Sequence, residues 1–92
     1  MINLLPRTVY LVASQIDEDT YSECYLGLQV RLGFKIKGVF RVYKTKLAAK
    51  KAITPEVNNP KIIKCRLPIF SFYEETVFGS IFCNKIKIIE IC

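Results

Sequence analysis

The chain has 92 residues, 51 % of them apolar and 24 % charged, with fourteen Lys and Arg against eight Asp and Glu and a formal net charge of +6. A chain of this length closes one hydrophobic core at most, its composition is that of a globular rather than a disordered protein, and no apolar run approaches the roughly 20 residues of a transmembrane helix. The first seven residues show no basic-then-apolar leader pattern, so a cytoplasmic address is expected, with Cys24, Cys65, Cys83 and Cys92 as thiols.

Residues 8–16 are rich in β-branched and aromatic residues and run into the turn-prone Asp17-Glu18-Asp19. They predict a first strand, central because it is nearly all apolar. From 24 to 32 the alternation is regular, with Leu26, Leu28, Val30 and Leu32 on one face and Tyr25, Gly27, Gln29 and Arg31 on the other, which predicts one half-buried strand. Gly33 permits a tight turn, residues 34–37 restart the alternation, and a bulge at Gly38 would decide whether Phe40 and Val42 or Val39 and Tyr43 face the core.

Thr45 offers an N-cap to a short helix over 46–53, stopped by Thr54-Pro55. Ala48, Ala49, Ala52 and Ile53 form one arc, small enough to lie close to a sheet, and Lys46, Leu47, Lys50 and Lys51 form the other. Leu47 is read as an edge contact of the core, with an exposed anchor for a partner as the alternative. Asn58-Asn59-Pro60 is a turn, and 61–67 alternates again, Ile63, Cys65 and Leu67 opposite Ile62, Lys64 and Arg66, until Pro68 ends it or places it at an edge. The aromatic segment 69–79 fits a short strand with a loop as well as a hairpin arm. Residues 80–92 predict a long strand with a period break at Ile88-Ile89 that marks a bulge. The sum is one α+β domain over 1–92: a largely antiparallel sheet of five or six strands with one short helix, about 45–53, packed on one face.

The charge is strongly segregated. Residues 31–66 carry eleven Lys and Arg against the single acid Glu56, a net +10, while the flanks on either side are net acidic. Such a block would attract nucleic acid, an anionic membrane or an acidic protein surface. The competing reading is that alternating lysines simply keep the outside of a sheet soluble and discourage edge pairing.

Little else points to chemistry. The chain has no histidine and no C-x-x-C pair, so neither a zinc site nor the commonest general base is available, and no metal, cofactor or enzymatic activity is expected. Asp17-Glu18-Asp19 lacks the ligand spacing of a calcium loop and reads as a solvated turn. Glu74 and Glu75 are adjacent, would face opposite sides of a strand and could not share a substrate. Cys65 lies between Lys64 and Arg66, which would favour a reactive thiolate, but the alternation sets it inward beside Ile63 and Leu67. Phe34, Phe40, Tyr43, Phe70, Phe72 and Tyr73 could interleave with lysines as a base-stacking platform, or serve as core bulk.

Gly38-Val39-Phe40-Arg41-Val42-Tyr43-Lys44-Thr45, followed by Ala48-Ala49-Lys50-Lys51-Ala52-Ile53 and Ile62-Ile63-Lys64-Cys65-Arg66-Leu67, resembles small accessory proteins of T-even-type bacteriophages. The resemblance covers residues 38–67, carries no catalytic residues, and implies a genre in which small proteins bind and inhibit or redirect host factors or defence systems. The expectation is therefore a small non-enzymatic binding protein of the host cytoplasm. Its partner, an acidic protein surface, would be met by Lys35, Lys37, Arg41, Lys44, Lys46, Leu47, Lys50, Lys51, Lys64 and Arg66. The alternative is sequence-independent binding of nucleic acid by the same cations. No membrane partner is expected, and a homodimer through an unpaired edge, the C-terminal strand, is plausible for so many strands in so short a chain.

Overall fold

Alternation and turn chemistry divide the chain, in a computed structural model that describes residues 1–77 and 79–92, into β1 (Arg7–Gln15), β2 (Thr20–Glu23), β3 (Gln29–Arg31), β4 (Lys35–Tyr43), α1 (Lys46–Lys51), β5 (Pro60–Leu67), β6 (Tyr73–Glu75) and β7 (Ser80–Ile91). All the strand pairings are antiparallel. β1 lies beside β5 over its length, from Arg7 opposite Leu67 to Ser14 opposite Pro60. On its other edge it takes β2 and, at Tyr10 opposite Tyr43, the end of β4. β7 pairs with both β4 and β5, so β1, β4, β7 and β5 close on themselves as a small barrel, with β2 and β3 extending it from β1 and β6 attached to β7. The α+β architecture is the expected one, with seven short strands.

Period-two alternation sorts the side chains. Val9, Leu11, Phe40, Val42, Ile63, Leu67, Ile81, Ile86 and Ile88 point into the barrel and are buried. The outward-facing Tyr10, Val12 and Ile62 of the same strands form a second, smaller cluster with Ala49, Ala52 and Ile53 of the helical segment. Ala49 is fully buried, and its small side chain is what allows the helix to lie against the barrel wall. Thr45 caps this helix, its Oγ1 accepting from the Ala48 N–H, and Ala52 ends it, the last helical residue being Lys51, two short of the predicted 53. The period breaks fall where expected: the β4–β7 register slips between Lys37 and Phe40, placing Phe40 and Val42 inside, and the β5–β7 register slips opposite Ile89. A Cβ at Gly38 would stand 2.7 Å from Leu28 Cδ1, so the bulge is also where the β3 side packs down on β4.

Two expectations are corrected, and one left open is decided. The strand predicted over 24–32 is a turn followed by the three-residue β3, because Glu23 competes successfully for its backbone. The Glu23 carboxylate is buried and accepts from the N–H groups of Tyr25 at 2.9 Å, Leu26 at 2.6 Å and Leu28 at 3.1 Å, holding 24–28 in a closed loop that no strand ladder could satisfy. Tyr25 and Leu26 are left exposed. The C-terminal strand is no edge: β7 is paired with β4, β5 and β6. The aromatic segment resolves into β6, a hairpin arm on β7, preceded by residues 70–73 that bond to the N-terminal segment; Phe78, which the sequence reading placed in the same segment, lies outside the described residues.

Glu23→Ala is expected to lower stability by about 2–4 kcal/mol, because three backbone donors lose a charged acceptor at once. Urea unfolding of both proteins checks this, with an unchanged midpoint as the contrary result.

Candidate functional site

The barrel does not keep the ten expected contact residues on one surface. Outward positions at the far end of β4, β7 and β5 form cross-strand rows: Lys35 stands opposite Lys87, Lys87 opposite Arg66, and in the next row Lys37 opposite Lys85. Like charges set directly opposite one another weaken a sheet, so nothing in the fold itself favours this arrangement. Among the described residues none of the five is ion-paired with a carboxylate. Lys85 and Lys87 were not singled out by sequence, since linear counting assigns them to an acidic flank; the signal was the Lys85-Ile86-Lys87-Ile88 alternation, whose lysines must share a face.

These rows border an apolar tip. A hollow of about 220 Å³ is lined by Lys35, Arg66 and Lys87 together with Pro6, Pro68 and Ile69. Beyond it, Asn3 ties two segments together: its side-chain amide donates to the carbonyls of Leu67 and Pro68, and its own carbonyl accepts from the Phe70 N–H. Leu4, Leu5 and Phe70 project from this clamp with 72 %, 73 % and 72 % of their surface exposed. Phe70 adopts a φ of +65°, a left-handed conformation that costs a bulky residue about 1–3 kcal/mol and tends to persist at functional positions.

The second group surrounds the helix. Lys46, Lys50 and Lys51 are exposed, and so is Leu47, which is not the expected core contact: the six-residue helix turns Ala49 inward and leaves Leu47 on the opposite side. Lys44 and Lys64 are engaged elsewhere. Lys44 Nζ lies 3.2 Å from Glu75 Oε2, Arg7 lies 3.3 Å from the other oxygen of the same carboxylate, and Lys64 is 3.7 Å from Glu90. Arg41 faces neither group and turns into a cleft beside the helix. The aromatic set does not form a platform, since Phe40 is wholly inside the barrel.

The remaining candidates are structural. Burial pushes the Cys65 thiol far above its ordinary range, helped by the neighbouring Cys83, and Lys64 and Arg66 point to the other side of the strand. Burial likewise pushes Cys83 up to about 12. Asp17 is held below the usual carboxylate range chiefly by the Asp19 N–H, which donates to its Oδ1 at 3.0 Å, the arrangement of a solvated turn. Glu75 is held low first by Lys44 and then by Arg7, a tie between β4, β1 and β6 and no acid-base pair with Glu74. Among the described residues no group of three or more His, Cys, Asp or Glu is placed to hold a metal ion, and no helix is long and apolar enough to cross a membrane. No protein-family model, curated protein or solved structure matches the chain.

Two outcomes follow. In the native protein a thiol reagent should label Cys24 and Cys92, the exposed pair, with Cys65 and Cys83 reacting only on unfolding; four equally fast thiols would contradict the burial. Because Glu75 titrates lower when folded than when unfolded, its contribution is fully present above its ordinary value of 4.5 and fades as pH falls below it. Glu75→Gln should therefore flatten the acid limb of the stability profile below pH 4.5 and change little at neutral pH beyond the weak exposed ion pairs.

Proposed function

We propose that the chain is a small non-enzymatic binding protein that docks on an acidic surface of another protein and inhibits or redirects it. The observation that carries this reading is the junction of unpaired cation rows, Lys35, Lys37, Arg66, Lys85 and Lys87, with the projecting Leu4, Leu5, Ile69 and Phe70. Cations alone would serve a phosphate backbone equally well. Aliphatic side chains beside them favour a protein, because a nucleic-acid backbone offers nothing against which leucines and an isoleucine can be buried, whereas protein interfaces combine an apolar centre with a charged rim. The helix lysines and the exposed Leu47 supply a second cationic area on the same molecule, available to steer the encounter. The resemblance of residues 38–67 to phage accessory proteins supports the same genre of activity, exercised in the cytoplasm of an infected host.

The test compares the native protein with two variants, Lys35→Glu/Arg66→Glu/Lys87→Glu and Leu4→Ser/Leu5→Ser/Phe70→Ser, as tagged baits in bacterial lysate with and without nuclease treatment. The expected result is one stoichiometric protein partner whose affinity falls about tenfold or more in each variant. Recovery of nucleic acid only, released steeply by salt and insensitive to the apolar substitutions, would replace this reading by the nucleic-acid one.

A further inference from the structure

Arg41 occupies a different kind of place from the docking face. It projects outward from β4, and its guanidinium carbon lies 5.9 Å from the centre of the Tyr43 ring and 6.0 Å from that of Phe82. Phe82 in turn is held by Tyr25, with ring centres 5.3 Å apart. Arg41 Nε is the one buried side-chain polar atom without a hydrogen-bond partner among the described residues, and no carboxylate there is ion-paired with this guanidinium. A half-buried cation fixed between aromatic rings with no counter-ion is costly unless something else supplies the negative charge.

Two hollows meet at this side chain. The larger, about 460 Å³, runs along the helix past Thr45, Leu47, Ala48 and Lys51. The smaller, about 180 Å³, lies under the 24–28 turn, between Cys24 and Tyr25 on one side and Thr54 and Val57 on the other. Arg41, Tyr43 and Ala52 line both. The walls contain two cations, Arg41 and Lys51, and no acid. Of the two carboxylates next in sequence to lining residues, Glu23 already spends its oxygens on the three N–H groups that fix the turn carrying Tyr25, and Glu56, beside Val57, is exposed and hydrogen-bonded to Thr54. The cleft is thus walled by a strand, a helix and a turn pinned by a buried acid, the rigid support that a ligand site needs.

We propose that this cleft binds a small organic phosphate with a flat ring, of the nucleoside monophosphate class. Arg41 and Lys51 hold the phosphate where the hollows join, and the ring lies against Tyr25. Two cations without an acid suit a dianion better than a single carboxylate, and the guanidinium fork matches phosphate oxygens. The aromatic wall supplies the sequence-independent stacking surface that a base or similar ring requires. The site is separate from the cation rows and would stand if the docking reading fell.

The experiment is a titration of ¹⁵N-labelled protein with adenosine monophosphate, inorganic phosphate and adenosine, following the side-chain Nε–H signal of Arg41 and the backbone signals of Tyr25 and Lys51. The expected result is saturable binding of adenosine monophosphate, weaker binding of phosphate, none of adenosine, and an affinity about tenfold or more lower in Arg41→Met. Lys51→Met, on the exposed helix surface, should fold normally and weaken binding as well, which keeps the test decisive if Arg41→Met is unstable. The same titration of Lys35→Glu/Arg66→Glu/Lys87→Glu should be unchanged. No saturable shift with adenosine monophosphate, equal binding of phosphate alone or of adenosine, or unaltered binding by both Met variants would each overturn the assignment.

Discussion

The position of β5 between β1 and β7 is the constraint on which the molecule rests. β1 is paired to it along its whole length and β7 over its second half, so this one strand converts two separate sheets into a closed wall. Its inner side chains, Ile63, Cys65 and Leu67, fill the interior, and its outer Ile62 is the floor on which the helix sits. Remove it and, among the described residues, the β1–β4 bridge at Tyr10 and Tyr43 is the one pairing of named strands left between β1 and the β4–β7 ladder. The cation rows depend on it too, since Arg66 joins Lys87 and Lys35 only because β5 and β4 flank the same strand.

Closure explains why charge that is contiguous in sequence is scattered in space. A run of lysines on successive strands of an open sheet would make one broad face. In a barrel each strand turns its outer side in a different direction, so the block from 31 to 66 divides into the sheet rows, the helix lysines and Arg41 in its cleft beside the helix. The division gives each group its own neighbours: Leu4, Leu5 and Phe70 for the rows, Leu47 for the helix, and Tyr25, Tyr43 and Phe82 for Arg41. Charge alone would have suited any polyanion; the neighbours differentiate the surfaces.

Much of the fold was legible because alternation is a local signal. The apolar first strand, the bulges after Lys37 and at Ile89, the Thr45 cap and the inward Ile63, Cys65 and Leu67 all follow from residue spacing. The stretch from 24 to 32 was misleading, because its alternation was genuine while the competing influence, the Glu23 carboxylate, becomes decisive only once buried against the end of β1. Leu47 was misjudged for a related reason: a helix this short has one buried residue, and Ala49 takes the place. The candidate sites were less legible. Lys85 and Lys87 enter the patch through strand pairing, and the cleft at Arg41 joins β4 and the helix that follows it to the 24–28 turn, with Phe82 of the distant β7 against the guanidinium.

The place of β7 has a consequence for how the chain acquires its structure. Apart from the β1–β2 and β2–β3 hairpins and the β6–β7 arm, the ladders join segments distant along the chain, and β4 and β5 both wait for the strand at 80–91. Contacts of such long sequence separation slow folding, since the loops must close before the ladders stabilise them. A growing chain leaving the ribosome can form its first hairpins and its short helix, but the barrel wall stays open, with the inner faces of β1, β4 and β5 wet, until β7 has emerged. Folding is therefore tied to the completion of that strand, and a chain interrupted before residue 80 would carry every cation of the 31–66 block and no closed structure to display it.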